Sequence, residues 1–311
     1  MTRAKVGELE LIRRIRAVAK TRNSAVRVGI GDDCAILKVL TGQEAVVTTD
    51  FCLEGRHFRR DWHSAESAGH RCLARGLSDV AAMGGRPVAA FLSLALPRGF
   101  DEEWVAGFMA GFEGLAEEYY VELAGGDTAE APGEQILANV TVIGAANKLR
   151  AMRRVGARVG DGIYVSGALG GAAAELAALA AGKEWEFEEH PQLFPEPRVG
   201  LGAVLAKRPW ATACMDLSDG LSTDLRHLSE ASRVRAMVDL AQIPVARGAT
   251  LEQALHGGED YELLFTVMAG VKMPRQMLGI ATTRIGTMVA GEGVGVVGGG
   301  ELESKGWEHF G

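Results

Sequence analysis

The sequence predicts a two-domain α/β protein, and three observations carry that prediction. Apolar runs of strand length alternate with segments of helical spacing along the chain. A polar, basic, glycine-containing stretch at 147–160 interrupts the alternation, and after it the strand–helix pattern starts again. A length of 311 residues suits two domains of ordinary size, here 1–148 and 149–311.

Residues 6–19 carry Leu9, Ile12 and Ile15 at helical spacing. Two strand-like runs follow at 26–30 and 45–49, then a helix over 65–83, a strand at 88–96 and a helix over 102–119. Strands at 121–124 and 136–145 close the first half. The second half opens with a strand at 162–166 and an alanine-rich helix at 170–181. Residues 183–198 hold Pro191, Pro195 and Pro197 and read as a surface excursion. A helix near 199–206, a strand at 211–215, a helix at 221–231 and strands at 235–240 and 261–267 complete the pattern.

Lys and Arg total 33 against 40 Asp and Glu, a net charge of −7, which argues against nucleic acid as the main partner. No apolar segment approaches the roughly 20 residues of a membrane span, and Glu8, Glu10, Arg13 and Arg14 break any signal-peptide core. A cytoplasmic protein is expected. Cys34, Cys52, Cys72 and Cys214 form no C-x-x-C pair and read as reduced structural thiols.

The chemistry is carried by a recurring design, an apolar strand followed by a Gly- or Ser-containing turn bearing carboxylates. It occurs at Gly29-Ile30-Gly31-Asp32-Asp33, Thr48-Thr49-Asp50, Gly125-Gly126-Asp127-Thr128 and Asp216-Leu217-Ser218-Asp219-Gly220. Gly257-Gly258-Glu259-Asp260 precedes a strand, and Asp79 lies in an otherwise apolar helix. One such turn is ordinary loop chemistry; five or six at strand ends, where α/β sheets bind ligands, predict a site. So many carboxylates in one cleft would repel one another, and hard cations such as Mg²⁺ resolve that repulsion and receive phosphates. Zinc is not expected, because the seven histidines make no H-x-x-x-H pair. No G-x-x-x-x-G-K-[ST] is present, and Gly293-Val294-Gly295-Val296-Val297-Gly298 lies too near the end for a dinucleotide fold and reads as a glycine-rich hairpin.

These motifs, with Glu54-Gly55-Arg56-His57-Phe58, Leu77-Ser78-Asp79, Arg154-Val155-Gly156-Ala157, Gly160-Asp161, Gly257–Leu263 and Gly306-Trp307, resemble the thiamine-monophosphate kinases in order and spacing from about residue 7 to Phe310. The resemblance implies the two-domain α/β fold of aminoimidazole-ribonucleotide synthetase. It also implies a homodimer whose N-terminal strands pair across the two-fold axis, the first domain binding ATP and Mg²⁺. The implied reaction is transfer from ATP to thiamine monophosphate, directly and in line, without a general base. Carried over by residue, Asp33, Thr48, Thr49, Asp50, Asp79, Asp127, Asp216 and Asp219 are implied Mg²⁺ ligands. Gly126, Asp127, Arg154 and Ser218 are implied ATP-site residues, and His57, Glu259 and Trp307 implied contacts to thiamine monophosphate. Asp32 is expected to support the turn rather than ligate.

On the residues alone, His57 beside Arg56 and Arg59 also reads as a loop histidine, and Trp307 as a core anchor. Arg75-Gly76 departs from the family's usual Val-Asn before Leu-Ser-Asp, so either packing or substrate contact differs there. Sister synthetases of the same fold are weaker matches. One needs a reactive Cys or selenocysteine near its N-terminus, where this chain has no Cys before Cys34, and another ends in a Cys, whereas this chain ends in Phe310-Gly311. A non-enzymatic Mg-nucleotide sensor is disfavoured by the full set of carboxylate motifs.

Overall fold

The computed structural model describes residues 8–20, 22–28, 36–38 and 40–307. The chain divides into two compact units, one of 1–80 with 86–148, the other of 81–85 with 149–311.

The first unit contains α1 (Glu8–Val18), β1 (Val26–Val28), β2 (Ile36–Leu37), β3 (Gln43–Leu53), α2 (Ala65–Ala82), β4 (Arg86–Leu96), α3 (Glu102–Glu118), β5 (Glu122–Glu130) and β6 (Leu137–Asn147). Its main sheet has the order β3-β6-β4-β5, antiparallel except for the parallel β4–β5 pair. Strand alternation gives the sheet two unlike faces. Ala138, Val140 and Val142 of β6 are buried on the face that α2 packs against, while Val47 and Phe51 of β3 point the other way and are 64% and 61% exposed.

Gly76 explains how closely α2 approaches. A Cβ there would lie 2.6 Å from Val142 Cγ2, so the departure seen in the sequence is a packing feature. α3 is capped by Asp101, which accepts from Glu103 N, and it buries Phe108 and Phe112 completely.

The second unit contains β7 (Gly162–Ser166), α4 (Gly171–Ala180), α5 (Val199–Ala206), β8 (Ala211–Asp216), α6 (Leu221–Ser232), β9 (Arg235–Val238), α7 (Leu251–His256), β10 (Leu263–Val267), β11 (Gln276–Met277), β12 (Ile280–Val289) and β13 (Val294–Val296). The sheet runs β13-β9-β12-β7-β10-β8, with β11 on β12. Both faces are covered. Ile163, Val165, Met215 and Leu264 join Leu221, Leu225 and Leu255 in one core, whereas Tyr164, Cys214 and Phe265 pack with Leu201 and Leu205 in another. Burial on both sides is why these strands read as continuous apolar runs.

Two expectations change. Thr48-Thr49-Asp50 and Gly125–Thr128 are not turns at strand ends: β3 continues to Leu53 and β5 to Glu130, because β6 and β4 supply ladder partners along their whole length. α7 and β12 were not expected. α7 has only six residues, too few for periodicity, and β12 shifts register between Arg284 and Gly286, which breaks its alternation. β13 turns back so that Val296 N donates to Gly300 O at 3.1 Å, a glycine-rich hairpin.

Candidate functional site

In the first unit, strand period 2 puts Thr48 and Asp50 on the face that α2 covers. Asp79 comes from α2, and Thr48 Oγ1 donates a short hydrogen bond to Asp79 Oδ2. Asp50 Oδ1 lies 3.9 Å from Arg75 Nη2, and Asp50 Oδ2 is buried without a hydrogen-bond partner among the described residues. Burial, then the nearby Asp79 carboxylate, pushes the Asp50 pKa up to about 6, against the pull of Arg75. Two carboxylates and a hydroxyl thus share one half-buried pocket.

The same alternation turns Thr49 to the opposite face, where it bonds Asn139 Oδ1 at 3.1 Å and accepts from Thr141 at 3.2 Å. Asp127 is exposed on β5, the far edge of the sheet from β3, three strand spacings or about 14 Å away. Thr49 and Asp127 are therefore not brought to the Asp50–Asp79 pair within this unit. Gly126 has its own structural reason, since a Cβ there would strike the Leu92 carbonyl of β4. Asp33 and Asp32 lie outside the described residues. His57 is half-buried, its ring Nδ1 accepting from Leu53 N at 3.0 Å and its carbonyl accepting from the fully buried Arg71.

In the second unit, β8 delivers Asp216 at its end and the chain turns through Leu217–Gly220 into α6. Gly220 takes φ +104°, and a Cβ would sit 2.9 Å from the His256 backbone, so only glycine fits. The 257–261 segment is sewn to this turn: Glu259 N donates to Ser218 O at 2.8 Å and Tyr261 N to Leu217 O at 2.9 Å. Glu259 and Tyr261 hold positive φ of 65° and 50°, strain of the kind that collects at functional loops. Trp307 N donates to Asp219 O at 3.0 Å, and Trp307 is 48% exposed. Asp216, Ser218, Asp219, Glu259 and Trp307 are thereby assembled. Arg154 is exposed, its carbonyl accepting from Ser232 Oγ at 2.8 Å.

Sequence reasoning gave Asp260 only as one carboxylate of the 257–260 motif and missed the other residues that build these loops. Asp224 Oδ2 accepts the backbone N–H of Ser218, Asp219 and Gly220 at 3.1, 3.0 and 3.1 Å. Burial, followed by the charges of Asp216 and Asp219, pushes its pKa up to about 8. Asp260 caps α4, accepting from Gly170 N at 2.8 Å and Ala172 N at 3.3 Å, and burial raises it to about 7. Gln192, in the 183–198 excursion, donates to Glu259 Oε2 at 3.3 Å and is anchored by its own N–H to the buried Glu175. Arg198 grips Glu262 with two bonds of 2.9 and 2.6 Å. Asp224 four residues after Gly220, in the first turn of the next helix, was the one available signal. The others depend on long-range contacts.

The candidate metal-ligating side chains, carboxylates and threonine hydroxyls, all offer oxygen, which suits a hard cation held by one or two carboxylates plus phosphate. Among the described residues no three His, Cys, Asp or Glu side chains converge as a complete metal cage. The buried, unpartnered Asp50 oxygen and the repulsion between Asp50 and Asp79 fit such an ion. No helix among the described residues is long and apolar enough to cross a membrane.

Two family models match the chain: AIR synthase related protein, N-terminal domain, over 31–146, and the C-terminal domain over 158–299. A thiamine-monophosphate kinase of Escherichia coli strain K12 is 38% identical, with 98% of each chain covered. That of Bacillus subtilis strain 168 is 33% identical, covering 93% of this chain and 95% of its own. Among solved structures, the thiamine-monophosphate kinase of Stenotrophomonas maltophilia K279a superposes with a TM-score of 0.83 at 36% identity, covering 96% of this chain and 98% of that one. AaThiL complexed with AMPPCP and TMP gives 0.78 at 32% identity over all of both chains. Escherichia coli HypE, a hydrogenase maturation protein, shares the fold at 18% identity with a TM-score of 0.77, over 96% of this chain and 98% of that one.

Proposed function

This chain belongs to the thiamine-monophosphate kinases of the AIR synthase related family, and from that premise we propose that it transfers a phosphoryl group from ATP to thiamine monophosphate in one direct, in-line, Mg²⁺-assisted step. The acceptor is a phosphate oxygen that is already ionised, so the protein's task is positioning and charge neutralisation. Thr48, Asp50 and Asp79 in the first unit, with Asp33, and Asp216 and Asp219 in the second would hold ions, which when bound neutralise phosphates; Thr49 and Asp127, turned away from the Asp50–Asp79 pair, are not assigned to that pair's ion. Gly126, Arg154 and Ser218 would hold ATP. Glu259 and Trp307 would meet the cationic thiazolium by charge attraction and stacking, with His57 on the phosphate.

One observation carries this reading: Ser218, Asp219, Glu259 and Trp307, distant in sequence, are tied into a single backbone-bonded cluster. A direct transfer to an ionised phosphate oxygen calls for no general base, and several carboxylates and ring nitrogens here are already engaged. His57 Nδ1 accepts the Leu53 N–H, and Asp224 and Asp260 are committed to backbone N–H groups. A cavity of about 740 Å³ beside these loops has aromatic walls of Trp185, Phe187 and Phe194, with Arg247 stacked on Phe187 at 4.7 Å from the ring centre, a surface that suits a flat cationic ring.

The homodimer belongs to the same proposal. Among the described residues the outer edge of β3 pairs with no strand, and exposed Val47 and Phe51 would be covered by a second copy. The test is chromatographic: thiamine monophosphate with Mg-ATP should give thiamine diphosphate, and free thiamine, whose neutral hydroxyl needs a base, should give nothing. Efficient turnover of free thiamine would overturn the mechanism.

A further inference from the structure

The second unit carries another cavity, of about 300 Å³, on the outer flank of β8. Arg150, Arg153, Arg158 and Arg208 line it, and none of its described lining residues is acidic. All four arginines are exposed, and none makes an ion pair among the described residues. The carboxylate nearest in the chain, Asp161, is already committed: its Oδ2 accepts from Arg158 N at 2.9 Å and from the cavity-lining Thr212 hydroxyl at 2.7 Å. Four like charges around one small cavity repel each other, in a chain whose net charge is −7. An anion relieves that repulsion, and guanidinium groups match phosphate oxygens by paired hydrogen bonds.

We propose that this cavity is a second, metal-independent anion site that takes a diphosphate group. Four cations balance the three to four negative charges of a diphosphate better than the one or two of a monophosphate, and the volume accommodates it. The site is distinct from the carboxylate loops. Ala211 and Thr212 at the start of β8 line the cavity, whereas Asp216 ends that strand five residues on, about 17 Å away.

The side chains involved are not those proposed to bind substrates, so the site stands or falls independently of the kinase reading. Calorimetric titration of the full chain in excess EDTA, which removes metal-dependent binding at the carboxylates, tests it with inorganic diphosphate, monophosphate and ADP. One equivalent of diphosphate should bind at least tenfold tighter than monophosphate, and high salt should weaken it. Arg153→Ala with Arg208→Ala should lose tenfold or more. If that pair fails to fold, Arg150→Glu on the exposed loop should give a similar loss. Equal affinity for ADP and inorganic diphosphate, both lost in the arginine variants, assigns the site to the free anion, and at least tenfold tighter ADP binding that those variants lose assigns it to a nucleoside diphosphate. No binding in EDTA, or binding undiminished in the variants, overturns the proposal.

Discussion

Asp50 is the residue whose environment says most about the chemistry. Its carboxyl is held at about 6, above the ordinary carboxylate value of 3.8, first by burial and then by Asp79. The folded protein holds a proton on Asp50 between about pH 4 and 6 that the unfolded chain has released, so stability in EDTA should fall as pH rises through that window and stay low above it. Asp50→Asn should flatten that decline and raise stability at pH 7 by on the order of 1–3 kcal/mol, read from urea midpoints across pH. The same variant should lose at least 100-fold in kcat, because a neutral amide is a poor ligand for a hard cation. A variant both active and unaltered in its pH profile would contradict the reading. Trp307, half-exposed beside Asp219, should act differently. Trp307→Ala should raise KM for thiamine monophosphate several-fold while changing kcat little, since stacking is the same in ground and transition states.

At the scale of elements, α2 and the loop before α6 are held by opposite devices. α2 gains its position by omission. Gly76→Ala should improve helix propensity by about 1 kcal/mol, yet its Cβ meets Val142 at 2.6 Å, so the net effect should be a loss of about 1–2 kcal/mol. Adding Val142→Ala should recover part of that loss in thermal unfolding, and simple additivity of the two changes would refute the contact. The loop before α6 is held by addition, three N–H groups on one Asp224 oxygen. Asp224→Ala should cost about 1–3 kcal/mol, as buried donors lose their acceptor. It should also lower kcat by displacing Ser218 and Asp219, without changing the protein's association state.

At the scale of the whole molecule, the exposed Val47 and Phe51 on the first sheet carry the proposed homodimer. Light scattering should report twice the 33.0 kDa chain mass, and Val47→Asp, placing a charge on that face, should shift the population toward monomer. A single 33.0 kDa species at micromolar concentration in the unaltered protein would refute the dimer.

The sequence by itself determined the family, the alternation of strands and helices, and the residue types of the site. Periodicity and motif spacing are local properties, and Asp216–Gly220 or Leu77–Asp79 need only a few neighbours to be recognised. It also showed that Gly76 was unusual. Only the tertiary structure decided why, because the Val142 methyl that requires it is 66 positions away in the chain. The structure alone divided Thr48 and Asp50 from Thr49 and Asp127, since the face on which a side chain falls depends on strand length and register, and β3 and β5 run past the turns that their glycines and carboxylates suggested. It alone showed Gln192 bonded to Glu259 and Trp307 to Asp219. Such contacts join segments far apart in the chain, and what brings them together is the packing of a whole domain, which no local pattern encodes.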